Sequence, residues 1–84
     1  MNCTVEQRNR ARRVIQALGE RSDVIGTDLV SPAIDPSGRW TIEIALDSDG
    51  LSPAIVSLLA DAELTIRDVG PRQSWWHCVA VVVP

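Results

Sequence analysis

Residues 75–83, Trp75-Trp76-His77-Cys78-Val79-Ala80-Val81-Val82-Val83, decide how the rest of the chain must be arranged. In an extended strand successive side chains point to opposite faces. Trp76, Cys78, Ala80 and Val82 therefore share one face, and Trp75, His77, Val79, Val81 and Val83 share the other. A segment apolar on both sides belongs in the middle of a sheet, because at an edge it would leave unpaired backbone groups beside a long apolar row.

Working back from this strand, Arg39 to Leu46 alternates with period 2: Trp40, Ile42, Ile44 and Leu46 face one way and Thr41, Glu43 and Ala45 the other. It is the second most apolar strand and is expected beside the first, in the centre. Val24 to Ile34 reads as an edge strand, with Ile25, Thr27 and Leu29 opposite Val24, Gly26, Asp28 and Val30. Pro32 marks an edge or a strand end because it has no N–H to donate. Asp35-Pro36-Ser37-Gly38 then predicts a turn closing a hairpin with a bulge, with Pro36 presetting φ and Gly38 free to take a positive one. Glu63 to Val69 alternates again and stops at Gly70-Pro71, giving a short second edge.

Two segments read as helices. Thr4 and Gln7 have capping-box spacing, Ala11, Val14, Ile15 and Leu18 recur on one helical face, and Gly19 suits a C-terminal cap, so a helix is predicted over residues 5–19. Ser52 as N-cap with Pro53 at the first helical position launches a second helix to about Ala62, with Ile55, Val56, Leu58 and Leu59 expected inside.

The order is thus helix-strand-strand-helix-strand-strand, an α+β two-layer sandwich with one four-stranded, mainly antiparallel sheet of order 1-2-4-3 and both helices on one face. This order resembles a ferredoxin-like sandwich circularly permuted, its first strand moved to the C-terminus. Asp28-Leu29-Val30-Ser31-Pro32 before Trp40 also weakly echoes Asp68-Val69-Gly70-Pro71 before Trp76. At 84 residues the chain has room for one domain, residues 1–84.

Composition narrows the habitat. All eight basic residues are Arg, and Asp supplies positions 23, 28, 35, 47, 49, 61 and 68 of the eleven acids, for a net charge of -3. In composition alone this resembles proteins of salt-loving archaea, and the resemblance implies a halophilic, haloarchaeal setting without naming a family. A GC-rich genome favouring Arg over Lys is the alternative explanation. No apolar run reaches the ~20 residues a membrane span needs, and no apolar stretch follows the arginines near Met1, so no signal peptide is read there and a cytoplasmic location is expected. Cys3 and Cys78 are expected as free thiols.

Two helices can cover one sheet face only. The other face, carrying Trp75, His77, Val79 and Val81, is expected to need a partner, and Trp75, His77, Val79, Val81 and Trp40 are the candidate interface residues of a homodimer. The chain reads as a small non-catalytic interaction module.

Chemistry-bearing motifs are sparse. His77-Cys78 suggests a thiol-imidazole pair, but neighbours on a strand point apart, so a thiol enzyme built on Cys78 is the weakest alternative. One His and two distant Cys lack zinc-ligand spacing. Asp47, Asp49 and Gly50 resemble the start of a calcium loop, yet its twelfth position holds Leu58 where a bidentate Glu is wanted. No phosphate loop or catalytic triad is present, and neither metal nor cofactor is expected. Arg8, Arg12 and Arg13 on the first helix, with Trp75 for stacking, make a nucleic-acid-binding domain the remaining alternative. A solvated helix face, with Glu6 and Arg10 paired at i, i+4, is the simpler account of the same arginines.

Overall fold

A computed structural model describes residues 3–47 and 50–83, with side chains from residue 5 onward. Its elements run α1 (Cys3–Gly19), β1 (Val24–Val30), β2 (Thr41–Leu46), α2 (Pro53–Asp61), β3 (Leu64–Pro71) and β4 (Trp76–Val82). The strands form one sheet of order β1-β2-β4-β3, every neighbouring pair antiparallel. The double-sided apolar strand is central, and the α+β layout read from the sequence holds.

The helix-covered face is the core. Ile42, Ile44 and Leu46 of β2 meet Cys78, Ala80 and Val82 of β4, all without exposure, beneath Ala11, Val14 and Leu18 of α1 and Ile55 and Leu59 of α2. Burying such side chains contributes roughly 1.5–3 kcal/mol for each large aliphatic. α2 starts as expected: the Ser52 hydroxyl accepts the Ile55 N–H at 3.3 Å and Pro53 follows. The same hydroxyl lies 3.5 Å from Asp23, which Arg21 holds with two hydrogen bonds, so the start of α2 is tied to the start of β1.

Several details differ from expectation. α1 begins at Cys3, two residues early, and the Thr4 side chain of the expected capping box lies outside the described residues, as do residues 48 and 49 of the Asp-rich turn. Val56, expected inside, is 41% exposed, because the single sheet face beneath α2 takes only Ile55 and Leu59 fully. In β1 a bulge between Val24 and Gly26 pairs Val24 with Leu46 and Gly26 with Ala45. The extra residue is Ile25, so Val24 packs on the core and Ile25 turns out to solvent, the reverse of simple alternation. β3 has a bulge too, between Ile66 and Asp68. Bulges on both edge strands interrupt the regular ladder a further strand would need.

Candidate binding groove on the open sheet face

Opposite the helices lie Thr41, Glu43 and Ala45 of β2, paired with Val81, Val79 and His77 of β4. No helix reaches this face, yet Thr41 is fully buried and Val79 and Val81 are only 6% and 8% exposed. The cover is the chain's own β1–β2 connection, residues 31–40. β1 and β2 are adjacent, so a two-residue turn would have joined them. Instead Ile34 and Asp35 both donate their N–H to the Ser31 carbonyl, and Gly38, at φ 72°, donates to the Asp35 carbonyl. The turn at Asp35 to Gly38 is therefore where the sequence placed it, but it forms the tip of a strap and does not close a tight hairpin.

Asp35 pins that strap. Its carboxylate accepts two hydrogen bonds from Arg67 on β3, at 2.8 and 3.0 Å, and two more from the Ser37 N–H and hydroxyl. Since β4 lies between β2 and β3, this ion pair can form only if the strap crosses β4. The Asp35 side chain is 5% exposed and that of Arg67 is 42% exposed. The Arg67 guanidinium, with Ser37 helping, holds the Asp35 carboxyl well below the usual carboxylate range. The face expected to be bare is thus half covered from within, and Val79 and Val81 are not surface residues of the single chain.

The uncovered half is a concavity of about 300 Å³ lined by Gly26, Asp28, Glu43, Ala45, Trp75 and His77, among others. Small residues at 26 and 45, directly paired across β1 and β2, make its floor. Trp75 meets the His77 ring edge-to-face, with centroids 5.8 Å apart and planes at 84°. His77 is held from both sides: Nε2 lies 3.1 Å from Glu43 Oε1, and Nδ1 lies 3.0 Å from a guanidinium nitrogen of Arg72. Arg72 can only donate, so a hydrogen bond between the two makes Nδ1 the acceptor and leaves Nε2 to carry the proton facing Glu43. Asp28 stands directly across from Glu43 on the same face and makes no hydrogen bond or ion pair among the described residues.

The remaining candidates separate. Trp40 packs against the helix-side core, as its parity with Ile42 requires, and its indole Nε1 is buried without a hydrogen-bond partner among the described residues. Cys78 is buried in the same core, and desolvation pushes its thiol up from the ordinary value. It shares no face with His77. Arg12 and Arg13 are exposed on α1, whereas Arg8 is half-buried and Arg10 donates to the Val83 carbonyl at 2.9 Å. Trp75 lies on the opposite layer from all of them. Arg10 and Arg13 border a second concavity, about 480 Å³, where Asp61 and Glu63 balance their charge. No group of three or more His, Cys, Asp or Glu able to hold a metal occurs among the described residues, and none of their helices is long and apolar enough to cross a membrane.

Sequence reasoning named Trp75 and His77 but missed Asp28, Glu43, Arg72, Asp35 and Arg67. Strand parity alone puts Glu43 and His77 on one face only once β2 and β4 are paired in register. The Asp35–Arg67 pair has no local signal, since 32 positions separate the two residues. No protein-family model, curated protein or solved structure matches the chain.

Proposed function

We propose that this chain is a non-catalytic binding module whose working surface is the groove bounded by Trp75, His77 and the β1–β2 hairpin. One observation carries the reading: the chain spends a pinned strap on covering Val79 and Val81 yet leaves the adjoining half of the same face concave, with an aromatic wall and a small-residue floor. Concave sites that combine an aromatic surface with a few oriented polar groups are where ligands seat. Catalysis draws no comparable support, because the buried thiol and the imidazole lie on opposite faces.

The test exploits Gly26. A Cβ built there meets nothing within 4 Å, so the position accepts a side chain and Gly26→Val puts two methyl groups into the groove. Peptides selected from a displayed random library against the wild-type protein are expected to lose binding to Gly26→Val. Selected peptides that bind both equally would overturn the reading.

A second copy of the chain is the occupant with the next claim on this face. Light scattering across a concentration series, with Gly26→Val as the monomeric control, distinguishes it, and a monomer at every concentration removes it. Nucleic-acid binding through Arg8, Arg12 and Arg13 draws less support, since Trp75 cannot reach a strand held by α1. The Lys-free, Asp-rich composition supports a halophilic protein, for which stability rising with added KCl is the expected behaviour.

A further inference from the structure

Resting on the groove as a binding surface, we infer that its occupant is an arginine side chain presented by a partner protein. Asp28 and Glu43 are directly opposed on adjacent strands, and like charges so placed destabilise a sheet. Among the described residues no Arg pairs with either carboxylate, and Asp28 has no partner at all. Glu43 meets His77 Nε2 through Oε1, keeps 46% of its side chain exposed and makes no other hydrogen bond among the described residues. Arg72 is spent on the far nitrogen of the same ring, and Arg67, which feels Glu43 only at a distance, is committed to Asp35. A cation seated between the two carboxylates removes the repulsion that the free protein carries.

The geometry around the pair favours a guanidinium over an ammonium. Trp75 forms the wall of the groove beside the carboxylates, held in place by its edge-to-face contact with His77. A guanidinium is planar and weakly hydrated, so it can lie against an indole while offering paired N–H donors to a carboxylate, whereas an ammonium is a hydrated point charge. Gly26 and Ala45 leave room for the methylene stem. The net charge of -3 adds a long-range attraction for a basic segment.

The probe is acetyl-Ala-Thr-Arg-Thr-Ala-amide, with versions carrying lysine or citrulline at the centre, titrated to millimolar concentration into ¹⁵N-labelled protein. The arginine peptide is expected to move the amide signals of Gly26, Ala45 and His77 and the Trp75 indole N–H. Citrulline, the same shape without the charge, is expected to bind about tenfold or more weakly, and lysine to fall between. Asp28→Asn and Glu43→Gln should each weaken the arginine peptide about threefold at low salt, and the effect should shrink as salt rises. Thermal unfolding of both variants checks that they fold. If the citrulline peptide binds as well as the arginine peptide, or the two variants bind it unchanged, the cation reading falls, while groove shifts abolished by Gly26→Val keep the binding surface. If no peptide moves the groove signals, both fall.

Discussion

Replace Val79 or Val81 by Ala and the strap's role is exposed directly. Both side chains lie on the face that no helix covers, and on a bare sheet their truncation would cost no more than a surface change, within about 0.5 kcal/mol apart from strand preference. Here they are 6% and 8% exposed in the single chain. Val→Ala deletes two carbon groups at about 0.8 kcal/mol each, and an uncollapsed gap adds to that, so about 1.5–2.5 kcal/mol per substitution is expected. For a domain this small that lowers Tm by about 10 °C. Urea unfolding followed by circular dichroism supplies the free energies. The deciding comparison is a double-mutant cycle with Asp35→Ala, which unties the strap from Arg67: in that background the cost of Val79→Ala should fall toward the surface value. The same cost in both backgrounds would refute the claim that the strap does the covering. A Tm that climbs with protein concentration would assign the covering to a second copy instead.

Other consequences follow from single residues. The Asp35 carboxyl is held low in the folded chain, so its contribution is complete above the unfolded value of about 4 and drains away as pH falls below that; urea midpoints between pH 3 and 7 should therefore drop on the acid side for the wild type and flatten for Asp35→Asn. Gly38→Ala and Gly50→Ala both force a residue with a Cβ into positive φ, at 72° and 79°, costing roughly 1 kcal/mol or more. Gly50→Ala should be the worse of the two, since its Cβ would stand 3.3 Å from the Trp76 ring while that of Gly38 meets nothing, and thermal melts will rank them. In a Cys3→Ser background, Cys78 should react with a thiol reagent only as fast as the protein unfolds, because the side chain is buried and its thiol is pushed away from ionisation; prompt labelling of native protein would contradict its place in the core.

What the amino-acid order determined by itself is whatever depends on near neighbours. The parity of Trp76 to Val82, the alternation of Ile42 to Leu46 and the Ser52-Pro53 start of α2 are local patterns, and ranking the strands by apolar content was enough to place β2 and β4 in the centre. Bulges defeated the same logic in the edge strands, because one extra residue reverses every later side chain and leaves little mark on composition; Ile25 and Val24 exchanged faces for that reason. The covering of Val79 and Val81, the opposed Asp28 and Glu43, and the Arg72–His77–Glu43 chain of contacts were decided only by tertiary structure. Each brings together residues far apart in sequence, and the register and the path of the strap that align them are properties of the folded sheet.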